Sequence, residues 1–306
     1  MRKNNLGYDR TMQRISRLPF ISWFKQHSKV LAISIIVLSL IFLITYATLH
    51  PAVITNLMHT DPRVLILLLI LYTLIIGTQF VIMYATIKLC KKDLAIKSGI
   101  FLSIYSAVAN FFGPLQSGPG VRAIYLKQKI GLRIRDYMMA TLFYYFAFAA
   151  INGSLLFINS VPLLTVLGLV VSVVLTVLGI KRFHFNDLSR HVFVIFLATV
   201  IQILIMTAIY FVELHAINAP SDYSYLQALV YSASANLSMF VAITPGAIGI
   251  REAFIVFAQS LHHIPLESVI SAGILDRAFY IVFLTLLFIV SSSMHLKDMF
   301  TRHQTT

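Results

Sequence analysis

The sequence predicts an all-α polytopic membrane protein, with six full transmembrane helices and two re-entrant hairpins arranged as inverted repeats. Three observations carry that prediction: a composition too apolar for a soluble domain, two interrupted apolar stretches that resemble each other, and a lopsided distribution of lysine and arginine. Of 306 residues, 58% are hydrophobic and 11% charged, against about a quarter charged in ordinary soluble domains. The mean hydropathy is +0.85.

Uninterrupted apolar runs cover residues 30–49, 64–87, 136–158, 161–180, 191–213 and 268–293, each close to the ~20 residues that cross a bilayer core as helix. The first is expected to remain as an anchor, because its basic leader is long and no small-x-small cleavage site follows it. That leader, residues 1–29, carries Arg10, Arg14, Arg17, Phe20, Trp23, Phe24 and Lys25, and reads as an interfacial segment on an anionic leaflet. The expected organisation is the leader, a first membrane repeat over 30–160, a second over 161–293, and a cytoplasmic tail over 294–306.

Two further stretches, 98–118 and 225–248, are apolar but interrupted, and they are related. Tyr105-Ser106-Ala107-Val108-Ala109-Asn110 matches Tyr231-Ser232-Ala233-Ser234-Ala235-Asn236 in five of six places. Nine residues after each Asn comes Pro-Gly, as Pro119-Gly120 and Pro245-Gly246, and an arginine follows each, Arg122 and Arg251. The flanking spans keep the same order and offset, which predicts a tandem duplication with hairpins near 98–120 and 225–249.

Basic residues then decide how the interrupted stretches meet the bilayer. If both cross fully, Lys and Arg divide almost evenly between the two sides. If each dips in and returns, 21 of the 24 fall on one side, leaving Arg63 and Arg251 opposite and Arg277 within a span. The positive-inside bias selects the second arrangement, with both termini in the cytoplasm. Each repeat then makes three crossings, an odd number, so the second copy enters the membrane inverted. Inverted repeats with broken helices meeting near the midplane are an architecture of transporters.

The net charge of +13 does not indicate a nucleic-acid partner, since that requires a solvated basic face and the loops are too short to build one. Cys90, the single cysteine, cannot form an internal disulfide. No Cys/His set has metal-ligand spacing, and His262 and His263, being adjacent, point about 100° apart on a helix. Neither a metal nor a cofactor is expected.

The candidate site follows from the polar residues at membrane depth. Pro245, Gly246 and Gly249, like Pro119 and Gly120, allow a turn and a close approach, and a helix starting after such a turn exposes free N–H groups at its positive end. Arg251 and Arg122 add donor forks suited to phosphate. Glu252 balances charge, or, on a bland reading, is a first-turn acid beside a snorkelling arginine. Asp276 and Arg277 lie well inside a span, where ionisable groups face a partner or a cavity. They read as a substrate site or as a structural ion pair. Asn110 and Asn236 read as substrate ligands or as interhelical hydrogen-bonding glue.

At these residues the chain resembles a known family. "ITPGAIGIREAF", "ISAGILDRAFYIVF" and the earlier "NFFGPLQSGPGVRAIYL" are similar to the transmembrane region of lysylphosphatidylglycerol synthases and its stand-alone flippase-like relatives, over about 30–293. The resemblance implies translocation of a lipid across the cytoplasmic membrane, with lysyl transfer belonging to a separate soluble domain for which this chain has no counterpart. Ala247 stands where a glycine is common. The function expected is binding or transport of a lipid with an anionic phosphate headgroup, by rocking of the two halves about the hairpins. Two rivals come from other classes. An intramembrane enzyme lacks a nucleophile–base pair, metal set or nucleotide loop of the G-x-x-x-x-G-K-[ST] type. A non-catalytic membrane partner of a lipid-modifying enzyme, such as an aminoacyl-phosphatidylglycerol synthase, remains as the alternative.

Overall fold

A computed structural model describes residues 60–112, 117–182, 189–217, 223–241, 247 and 250–303. The expected first span, 30–49, the basic leader, and Pro245, Gly246 and Gly249 lie outside the described residues. What is described is helical, with no strand among the described residues.

The first helix, α1 (Pro62–Leu89), starts where the Asp61 side chain accepts a hydrogen bond from the Arg63 N–H at 2.8 Å, with Pro62 in the first turn. Proline costs nothing there because those N–H groups lack intrahelical partners anyway. After α1 come α2 (Ile96–Phe112) and α3 (Gly118–Ile130). Gly131, at φ 64°, ends α3 in the left-handed region that glycine enters without strain. The helices α4 (Ile134–Leu155), α5 (Pro162–Arg182) and α6 (Ser189–Ala216) follow. Next is α7 (Tyr225–Ser238), opened by a capping box in which Ser224 and Gln227 each satisfy the other's backbone N–H. The chain continues through a short 3₁₀ turn, Met239–Val241, into α8 (Ile250–Phe257), α9 (Gln259–His262) and α10 (Leu266–His303). The last helix is unbroken to His303, so the expected tail begins as a continuation of the span.

Four helices are long and apolar enough to cross a bilayer: Pro62–Leu89, Ile134–Leu155, Arg190–Ala216 and Leu266–Ser293. They fall on four of the six expected spans. At the fifth, α5 contributes a shorter described apolar helix, Pro162–Val174. The most apolar window of α1 is only 28% buried. Outward-facing residues such as Ile66, Leu163, Phe146, Ile289 and Leu286 leave an apolar exterior that water would not tolerate over such an area and acyl chains would. The chain is an α-helical membrane protein.

Packing among the helices follows an exchange rule. The broadest contact is between α1 and α6, the second spans of the two expected repeats. α2 packs on α3, and α7 on α8, so each interrupted stretch is a helical hairpin. Each hairpin also rests on the closing helix of the other repeat, α2 on α10 and α7 on α4. Swapping α1 with α6, α2 with α7, α3 with α8 and α4 with α10 reproduces these pairs.

The first hairpin differs from expectation in one local respect. Pro119 and Gly120 stand in the first turn of α3, after the bend, because proline fits an opening helical turn as well as it fits a loop. Close approach is instead supplied by Gly118. A Cβ there would sit 2.6 Å from the Ser106 carbonyl oxygen and 3.0 Å from Asn110 Cβ, and the Ser106 hydroxyl donates to the Gly118 carbonyl at 3.0 Å. Gly120 meets no such neighbour.

Candidate functional site

Both hairpins open onto one cavity of 170 Å³. Its wall includes Asn110 and Arg122 from the first hairpin, Asn236, Ala247 and Arg251 from the second, and Asp276 from α10. Tyr72, Tyr144, Tyr145, Phe148, Tyr210, Phe240 and Tyr280 supply an aromatic lining, with Gln79, Gln202 and Ser106 as further polar groups. Five of the seven side chains expected from the sequence as ligands therefore meet at one place. The other two do not join them. Arg277 is half-buried and does not line the cavity, because it follows Asp276 on the helix and points about 100° away. The Glu252 side chain lies outside what the structure describes.

Arg251 is 7% exposed and forms an ion pair with Asp276 through Nη1 and Oδ2. Its guanidinium carbon also lies 5.1 Å from the centre of the Tyr210 ring, a stacking that suits a weakly hydrated planar cation. The acid expected to join a substrate site or to pair with Arg277 is thus paired with Arg251 across two helices. Asp276 accepts a second hydrogen bond, at Oδ1, from the Tyr72 hydroxyl. Tyr72 is held by rings of α10, with Tyr280 at 4.9 Å and Phe279 and Phe283 each at 5.7 Å between centroids.

The two asparagines have different surroundings. Asn236 donates from Nδ2 to Asn152 Oδ1 at 2.9 Å, and Asn152 donates to the Phe148 carbonyl at 2.8 Å. That is the interhelical glue of the bland reading, tying α7 to α4. Its Oδ1, like Asn110 Oδ1, has no hydrogen-bond partner among the described residues. Neither do Arg122 Nε, Arg251 Nε or Arg251 Nη2. Buried polar atoms are nearly always satisfied. Arginine N–H groups that converge on a cavity without protein acceptors define a place for an anion.

Sequence reasoning missed Tyr72, Asn152 and Glu213, which lies behind Tyr72. Glu213 was legible in principle: it ends the apolar run 191–213, and an acid at that depth carries the same signal as Asp276. His262, by contrast, is a satisfied core residue. It is 0% exposed, accepts the Ile264 N–H at Nδ1 and donates from Nε2 to the Ile255 carbonyl, both at 3.0 Å. Burial pushes its pKa below the ordinary 6.5, consistent with a neutral ring. Burial raises the Cys90 thiol to about 11, which keeps it a poor nucleophile. No group of three potential metal ligands occurs among the described residues. No protein-family model matches the chain, and neither does any curated protein.

Proposed function

We propose that this chain belongs with the flippase-like membrane proteins it resembles, and that it binds and translocates a lipid with an anionic phosphate headgroup across the cytoplasmic membrane. The observation that carries this reading is the convergence of Arg122 and Arg251, from two related stretches, on one cavity with unpartnered N–H groups. At 170 Å³ it is small beside the ~300–1,000 Å³ of pockets that enclose a whole drug-sized ligand. It has room for a headgroup and leaves the acyl chains to the bilayer.

The finer architecture proposed is six spans with two re-entrant hairpins as inverted repeats, termini in the cytoplasm. Supporting it are the 21 of 24 basic residues on one side and the exchange of hairpins between closing helices. Rocking of the halves would expose the arginines to each side in turn.

The test is reconstitution into liposomes with a panel of fluorescent lipids. Wild-type protein is expected to move phosphate-headgroup lipids between leaflets. Arg122→Ala and Arg251→Ala, compared at matched levels of folded protein, are each expected to lose at least about tenfold in rate, the equivalent of one charge-assisted hydrogen bond. Wild-type rates in both variants would move the balance to the non-transporting partner of a lipid-modifying enzyme.

A further inference from the structure

The polar cluster does not stop at the cavity wall. Asp276 uses Oδ2 for Arg251 and Oδ1 for the Tyr72 hydroxyl, and that hydroxyl lies 3.1 Å from Glu213 Oε1. Glu213 is 0% exposed, and its Oε2 has no hydrogen-bond partner among the described residues. Tyr72 faces it from α1, Asp276 from α10 and Arg251 from α8. Tyr210 precedes it by about one turn on α6, with Tyr231 of α7 edge-on to Tyr210 at 5.2 Å. Arg251 is the one cation of this set.

Hydrogen counting makes the cluster informative. A tyrosine hydroxyl has one proton to give, so Tyr72 cannot donate to both carboxylates. Oxygens 3.1 Å apart with no proton between them would repel. Two ionised carboxylates against one guanidinium would also leave a net negative charge away from water, which the interior penalises heavily.

We propose that Glu213, Tyr72 and Asp276 form a proton-binding chain beside the cavity: Glu213 holds a proton at rest, and the chain takes up one more when a phosphate-bearing anion displaces Asp276 from Arg251. The resting proton stands on the geometry alone, while the uptake rests on the phosphate reading of the cavity. At rest the Glu213 O–H donates to Tyr72, Tyr72 donates to Asp276, and the Asp276 carboxylate balances Arg251. On loading, the anion takes over the Arg251 N–H groups and Asp276 is left without its counter-charge. Tyr72 then passes its proton to Asp276 Oδ1 as it receives that of Glu213, and Glu213 is reprotonated from water. One proton enters with one negative charge, so the cluster stays neutral in both states.

Two measurements on the purified full chain in phosphatidylcholine nanodiscs test this. In the infrared spectrum of the ligand-free protein, wild type should show a protonated-carboxyl C=O band that Glu213→Gln removes, with thermal unfolding unchanged because glutamine replaces a neutral acid. In lightly buffered solution, short-chain phosphatidylglycerol and water-soluble glycerophosphoglycerol, both non-titrating monoanionic phosphodiesters, are then added separately. Binding is expected to take up about one proton per anion, and Asp276→Asn is expected to bind without uptake. A response to the lipid alone assigns the site to a headgroup; a response to both shows that the free phosphodiester suffices. A missing carboxyl band overturns the proposal, as does a Glu213→Gln variant that fails to fold while Glu213→Asp folds. Anion binding with no proton uptake overturns the coupling. A band present with neither probe bound refutes the phosphate reading, and the coupling with it.

Discussion

Arg122 and Arg251 follow the Pro-Gly of two related stretches, by three and six residues after the proline, and line the same cavity, yet they are set in different electrostatic surroundings. Arg251 is 7% exposed, paired with Asp276 and stacked on Tyr210. Arg122 is half-buried, with Tyr144 and Tyr145 near it and no ion pair or hydrogen bond among the described residues. Both stretches thus bring a cation to the cavity, and among the described residues only the second has a counter-charge beside it. The pairing in the second half ties α8 to α10 and so contributes to folding, whereas the arginine of the first half has no such tie among the described residues.

The largest expected effect breaks this comparison most directly. Asp276→Ala strands the Arg251 guanidinium in the interior and should cost ~3–5 kcal/mol of stability, as breaking buried pairs does. Arg122→Ala removes no protein partner and should cost less than about 1 kcal/mol while still abolishing anion binding. Unfolding in detergent, read beside a binding assay, separates them; equal destabilisation by the two variants would mean that Arg122 has a structural partner after all.

A middle-sized effect separates the hairpin bends. Gly118 lies where a Cβ would collide with the Ser106 carbonyl, so Gly118→Ala should destabilise by about 1–3 kcal/mol. Ala247 adopts φ 56°, a left-handed conformation that costs a non-glycine residue roughly 1 kcal/mol. Ala247→Gly should therefore stabilise the second hairpin slightly. Opposite signs of the shift in unfolding midpoint are the expected result, and a gain from both changes would show that the first hairpin has room for a Cβ at Gly118.

The smallest effect concerns the exits from the hairpins. The first ends at Gly131 without a titratable anchor, and the second ends at His262, whose neutral ring joins Ile255 to Ile264. Because the folded pKa of His262 lies below 6.5, its contribution is fully present above about pH 6.5 and is lost as pH falls towards the lowered folded value. Amide exchange at Ile264, corrected for its intrinsic rate, should quicken on acidification through that range while exchange at Leu132 does not. A His262→Gln variant should remove the difference.

What the sequence disclosed and what it withheld divide along the same physical line. Spans were legible because a bilayer imposes a length and forbids charge, so 64–87, 136–158, 191–213 and 268–293 are readable to within a few residues of the helices found. Arg251, Asp276, Asn110 and Asn236 stood out as polar groups against an apolar background, and the repeat brought Arg122 with them. Partnership was not legible. Which acid meets Arg251 depends on how α8 crosses α10, and local order favoured Glu252 or the Asp276–Arg277 neighbours instead. Tyr72 in an apolar run looks like any membrane aromatic. Glu213 stood at the last position of the expected span and drew no reading of its own, whereas α6 continues to Ala216 and the side chain is buried.

The crossed seating of the hairpins also constrains how the molecule can be made. The α2 surface that rests on α10 leaves the ribosome long before α10 exists. Between Phe112 and Leu266, at ~5–20 residues per second, synthesis takes roughly 10–30 s. Throughout that interval the first hairpin must wait with its seat on α10 unfilled. Neither half of the chain can therefore mature alone. Two separately expressed halves should be short-lived singly and recover only when made together.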